Sequence, residues 1–319
     1  MKSSQFESSP EGTESGGQTL APGVEYHRVL AGDQRRIGRG ILAIVLLIGG
    51  MFFLNILFAA VAVMVNPVQQ DGGAAYTPLL HAAGMASVAL LTPWSMIIQR
   101  WLYGVKGASL HSVFSRFRFD IFGKALPLAV PAWSIVSVVL YWSPLPEASW
   151  SHTDVLWFLL ATILLTPLQG AGEEYGFRGL IFRVAGGWAR GARAGLVLGI
   201  VVSSVVFAVV HLSSEVWLNA WYLVFAVELS LITWHTGGLE IAIVLHAMFN
   251  TVNFVFDVAL RVDMGTAYDR SAGVASVETL APMAVIVIAV VVVWVRTRGA
   301  GAARTPADAE ARVEAVTAA

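Results

Sequence analysis

Gln169-Gly170-Ala171-Gly172-Glu173-Glu174-Tyr175-Gly176-Phe177-Arg178-Gly179 closes a long apolar run, Val155 to Pro167, with two adjacent carboxylates and a guanidinium. Charge near the hydrocarbon interior costs a few kcal/mol or more, so it persists where it is paired or where function needs it. On a helix Glu174 and Arg178 share a face and can pair. Glu173 points about 100° away and is left for another task. Gly170, Gly172, Gly176 and Gly179 let other helices approach closely. The stretch reads as a helix of a membrane protein in which Glu173 activates water.

The rest of the chain agrees with a bilayer setting. Of 319 residues, 56% are hydrophobic and only 13% charged, against roughly a quarter charged in soluble domains. There is no Cys, which excludes disulfides, a thiolate nucleophile and Cys-ligated zinc. Nothing in the composition points to nucleic acid.

Residues 1–39 are rich in Ser, Gly and Glu and read as a mostly disordered tail. The first apolar run, Ile41 to Val65, is 25 residues long, too long for the apolar core of a signal peptide. Further runs follow at about 78–99, 122–142, 155–174, 194–211, 216–234, 239–260 and 280–295, each near the ~20 residues needed to cross a bilayer. The expected architecture is therefore all-α, a polytopic membrane bundle of about eight transmembrane helices over residues 40–298. A second disordered tail is expected over 299–319. Eighteen of the 20 Lys and Arg fall in the two tails and in the loops after the second and fourth runs; only Arg261 and Arg270 fall on the other side. That bias places both termini in the cytoplasm.

Polar groups inside these runs narrow the chemistry. Ser204, Phe207 and His211 lie on one face of the fifth run, and His246, Asn250, Asn253 and Asp257 form one stripe on the seventh. Such a stripe faces the bundle interior or a water-filled cavity, or else forms an interhelical hydrogen-bond seam. Glu228 is a further acid in an apolar run; His81 reads as a packing residue, and Glu215, His235 and Glu240 as solvated loop residues. No His-Glu-x-x-His pair and no Gly-x-Ser-x-Gly elbow is present. Glu173, His211, His246 and Asn250 remain, a kit for amide hydrolysis by activated water. The carboxylate takes the proton, imidazoles orient the water directly or through Zn²⁺, and the amide stabilises an oxyanion.

Glu-Glu-x-x-x-Arg (Glu173, Glu174, Arg178), Phe-x-x-x-His (Phe207, His211) and His-x-x-x-Asn (His246, Asn250), in this order on successive helices, resemble the CAAX protease and bacteriocin-processing (Abi) family. That family includes the type II CAAX prenyl endopeptidases. The resemblance covers a protease core at about residues 153–260. It implies an intramembrane endopeptidase with a cavity open to the cytoplasm. Glu173 would be the general base, and Glu174 its partner or a structural acid held by Arg178. His211 and His246 would bind the metal or the water, and Asn250 would form the oxyanion site. A Zn²⁺ ion, a surrounding lipid bilayer and a peptide or prenylated, membrane-tethered protein substrate are the implied cofactor and partners. Two other readings stay open: a non-catalytic binding or immunity protein, and a proton-coupled transporter using Glu173, Glu228, His246 and Asp257 as a relay.

Simple alternation of spans also poses a problem of depth. It puts Glu173 and His211 near opposite membrane faces, roughly 20–25 Å apart at 1.5 Å rise per residue. An irregular, protein-buried segment over 175–187 is expected to close that distance.

Overall fold

The computed structural model describes residues 20–32, 34–66, 76–142 and 145–307. About half of each expected tail, 1–19 and 308–319, lies outside the described residues. The architecture is all-helical, with only isolated bridges and no strand among the described residues. Among the described residues eight helical stretches are long and apolar enough to cross a membrane. The protein is a multi-pass membrane bundle.

The elements are α1 (Ile37–Val65), α2 (Pro78–Ala89), α3 (Leu91–Tyr103), α4 (Phe119–Leu140), α5 (His152–Glu174), α6 (Phe182–Gly186), α7 (Ala192–Val210), α8 (Val216–Thr236), α9 (Glu240–Ala259), α10 (Met264–Ala267) and α11 (Met283–Thr297). Their limits follow local chemistry. Thr77 caps α2 through Leu80 N–H with Pro78 in the first turn, where its missing N–H costs nothing. Ser151 and Asp154 close a reciprocal capping box on α5. Gly104 and Gly237, both at positive φ, end α3 and α8. The second apolar run, read as one helix, divides at Leu90 into α2 and α3, three residues before Pro93. Pro93 has no N–H for the Ala89 carbonyl four residues back and its ring crowds that oxygen, which weakens the helix at this point.

The segment expected to be irregular is helical. Tyr175–Ile181 continues α5 as a π-helix, and α6 completes a 35-residue span from His152 to Gly186. Every residue from Glu174 to Gly187 is buried. The backbone thus keeps its hydrogen bonds by widening the turn rather than by breaking it. The depth problem disappears for the same reason. A Cβ on Gly195 would meet the Gly186 carbonyl at 2.5 Å, so the end of α6 is level with the first turn of α7. Glu173 then lies 13 residues back along one helix and His211 lies 16 residues along the other.

α5 is central, packed on α2 and α9, while α9 also packs on α4 and α7 on α8. Glycines set the spacing. A Cβ on Gly170 would stand 2.8 Å from the Ala247 Cα, and one on Gly172 would collide with the Val88 carbonyl oxygen. Gly172→Ala is therefore expected to lower stability by about 1–3 kcal/mol, because a backbone carbonyl cannot swing aside as a side chain can. Unchanged thermal unfolding in detergent would contradict this close crossing.

Several polar residues read as solvated are buried instead. Glu240 is wholly buried and holds Arg118 through Nε (2.9 Å) and Nη2 (2.6 Å). Glu215 accepts from the Trp217 and Gly273 amides, and His235 shares a hydrogen bond with Thr297. All these partners but Trp217 lie far along the chain, and burial is possible because each charge or dipole is matched. His81 is a packing residue, bonded to Tyr76 and Thr162.

Parts of the expected tails are also packed. Thr305 pairs with Gly23 and Val24. Tyr26 is buried under the Arg183 guanidinium, which lies 3.8 Å from its ring centre. Burial pushes the Tyr26 phenol up to about 12, so it stays a neutral donor, bonded to the Leu110 carbonyl at 2.5 Å.

Candidate active site

The adjacent acids of α5 have different surroundings. Glu174 is fully buried, with Arg178 Nη1 at 3.1 Å and His246 Nδ1 at 2.6 Å, both from its Oε1. The guanidinium is itself fully buried and lies 4.1 Å over the Phe207 ring, with Phe225 on its flank at 5.8 Å. The pair is thus a closed structural unit, with a cation–π contact in place of solvent.

Glu173 faces the other way. Its side chain is 13% exposed and stands 3.5 Å, through Oε2, from His246 Nε2. Gln169 Nε2 donates to its Oε1 at 2.6 Å, and Asn250 Nδ2 donates to Gln169 Oε1 at 3.0 Å. This chain fixes the orientation of both carboxamides. Glu174 Oε1, paired with Arg178, accepts from the imidazole at Nδ1, which leaves the lone pair on Nε2. Nε2 and Glu173 Oε2 are then two acceptors too far apart for a direct bond, and a water molecule can donate to both.

Five of the six residues singled out from the sequence therefore meet: Glu173, Glu174, Arg178, His246 and Asn250. His211 stands at the edge. Its Nδ1 bonds to the Phe207 carbonyl at 2.6 Å, its ring stacks on Tyr222 at 3.9 Å, and the Phe207 ring lies between it and His246 at 4.7 Å and 6.0 Å. Among the described residues no three His, Asp or Glu side chains converge in an arrangement that holds a metal ion. Glu173 Oε2 and His246 Nε2 supply two donors, one short of the three protein ligands a catalytic zinc takes.

The polar stripe of α9 divides in two. His246 and Asn250 reach α5. Asn253 accepts from Ser137 at 2.8 Å, and Asp257 accepts from Tyr141 and Tyr268, each at 2.5 Å. Its second half is thus an interhelical seam holding α4. Glu228 is buried in α8, and its Oε2 has no hydrogen-bond partner among the described residues.

Two participants escaped the sequence reading. Gln169 carried a signal, an amide four residues before Glu173 inside an apolar run. Tyr222 carried none, since an aromatic in an apolar helix reads as packing.

Comparison with known proteins adds an independent line. Residues 153–252 match the family described as Type II CAAX prenyl endopeptidase Rce1-like. The uncharacterized protein YyaK of Bacillus subtilis (strain 168) is 27% identical over 129 residues, covering 39% of this chain and 42% of its own length. No solved structure matches. The matched segment runs from the first turn of α5 into α9 and holds all six residues. Residues 153–252, about a third of the chain, are thus similar to the Rce1-like, type II CAAX prenyl endopeptidase family.

Proposed function

We propose that this protein is an intramembrane endopeptidase that hydrolyses a peptide bond with water activated by Glu173. The observation that carries the reading is the 3.5 Å approach of Glu173 Oε2 to His246 Nε2, two acceptors aimed at one small donor. In the reaction, Glu173 takes a proton from water while the oxygen attacks the carbonyl carbon. Asn250 keeps one amide N–H beyond its bond to Gln169 and offers it to the developing oxyanion. Collapse breaks the C–N bond, and the proton held by Glu173 passes to the leaving amine. Glu174 and Arg178 are positioning residues: they touch His246, not the reacting atoms. His211 borders the site through Phe207 and Tyr222.

The test is hydrolysis of a lipid-tethered peptide library by protein reconstituted in nanodiscs, with and without chelator. Cleavage is expected, and Asn250→Ala is expected to lower kcat by about 10²-fold. A proton relay would tolerate that change, so unaltered turnover would sink the peptidase. Turnover lost to the chelator and restored by Zn²⁺ would assign a metal to His211, His246 and Glu173, which would then have to draw together.

A further inference from the structure

Two cavities of about 790 Å³ each lie at opposite ends of the bundle, and their charges differ in sign. The one at the arginine-poor end is lined by Glu147 and Asp263 beside Arg270. The other lies where α4 and α9 begin and α8 and α11 finish. Among the described residues its lining holds Arg118, Arg296 and Arg304 and no carboxylate.

The three arginines are not equivalent. Glu240 holds Arg118 at 2.6 Å, with both side chains largely buried. Arg304 reaches Glu25 Oε1 at 3.3 Å but stays 61% exposed, so that pair leaves much of its charge available to a third group. Arg296 is exposed and has neither an ion pair nor a hydrogen bond among the described residues. Apolar groups complete the wall. Ile121, Ile241 and Val292 line the same cavity. α4 packs on α9 and α11 on α8, and Val292 is 49% exposed within its span. The cavity therefore opens sideways to lipid as well as upwards to water.

Depth separates the two chemistries. Trp294, 51% exposed with the Arg298 guanidinium 5.6 Å from its ring, marks the headgroup level, where the aromatic rings of spans collect. Arg296 lies in the last turn of α11, and Val292 lies one turn deeper, roughly 6 Å at 1.5 Å rise per residue. Positive charge at the headgroups with an apolar wall beneath it matches one amphiphile with an anionic head. A soluble anion would use only the upper part of the site.

We propose that this cavity binds an anionic phospholipid of the adjoining leaflet, with its phosphate at Arg296 and Arg304 and an acyl chain along Val292 and Ile121. Two arginines at the membrane surface give roughly a 30-fold preference for an anionic over a zwitterionic lipid. The lipid ties α11 and the segment after it to the start of α9, the helix that carries His246 and Asn250. No hydrolytic residue lines the cavity, so the site stands or falls apart from the peptidase reading.

The test compares nanodiscs of phosphatidylcholine alone with nanodiscs that also contain phosphatidylglycerol. Thermal unfolding is followed in each, and native mass spectrometry in mild detergent counts the retained lipid. Phosphatidylglycerol is expected to raise Tm by about 5 °C and to stay bound, whereas millimolar inorganic phosphate in phosphatidylcholine discs leaves Tm unchanged. Arg296→Gln with Arg304→Gln is expected to unfold like the native protein in phosphatidylcholine and to lose the roughly 30-fold preference. Val292→Trp keeps both arginines but fills the apolar part, and is expected to release the lipid as well. Equal retention of the two lipids by the native protein overturns the proposal. So does an undiminished phosphatidylglycerol effect in either variant. A rise in Tm with inorganic phosphate equal to that with phosphatidylglycerol assigns the site to a soluble anion instead. Should the double variant fail to fold, the native protein's choice between the two lipids still decides.

Discussion

Replacing Glu173 with Gln is expected to lower kcat for peptide hydrolysis by about 10²–10⁴-fold while leaving thermal unfolding unchanged. Gln is the same size and keeps the carbonyl acceptor that Gln169 Nε2 uses, so the local network survives. What disappears is the proton acceptor 3.5 Å from His246 Nε2. Nothing in the buried ion pair is touched, because Glu173 lies on the other side of the helix from Arg178. The measurement is single-turnover cleavage of a quenched peptide in nanodiscs, beside an unfolding curve for each protein. Retained turnover would remove Glu173 from the chemistry. Lost turnover with a lowered Tm would leave the result ambiguous between base and scaffold, and the neutral exchange is chosen to avoid that.

Much of this arrangement was legible in the sequence, for a definite reason. Apolar runs near the length of a bilayer and arginines in alternate loops report the solvent on each side of a segment, and solvent is a local property. That is why eight spans could be counted from runs such as Ile41–Val65 and Leu239–Leu260, which the structure gives as Ile37–Val65 and Glu240–Ala259. The two carboxylates, the arginine, the imidazole and the amide could be read likewise, since polar groups in such runs need partners. Pairing across the chain was not legible. Glu240 looks like a loop acid until Arg118, 122 residues earlier, is set against it. Periodicity gives the face of a helix, not what that face meets, so the stripe from His246 to Asp257 gave no hint of dividing between α5 and α4. The π-helix at Tyr175–Ile181 is announced by no residue type there.

Arg178→Ala is expected to destabilise the protein by about 3–5 kcal/mol, the usual cost of leaving one partner of a buried ion pair alone. Glu174 would keep only the His246 Nδ1–H, with its second oxygen already lacking a hydrogen-bond donor. Lost contact with the Phe207 and Phe225 rings adds to the penalty. In a thermal unfolding experiment this corresponds to a fall in Tm on the order of 10 °C. Glu174→Gln combined with Arg178→Met tests whether the pair supplies stability or orientation. Two neutral side chains of similar volume satisfy the cavity about as well as the ions do, so Tm is expected to recover. Hydrolysis is not, because a carboxamide no longer holds the imidazole proton on Nδ1, and the Nε2 lone pair that faces Glu173 is no longer fixed. A double variant that regains both stability and turnover would show that the ion pair merely fills space, and that His246 finds its tautomer without Glu174. Recovery of stability alone separates the two neighbouring acids by role: one positions the imidazole, and the other takes the proton.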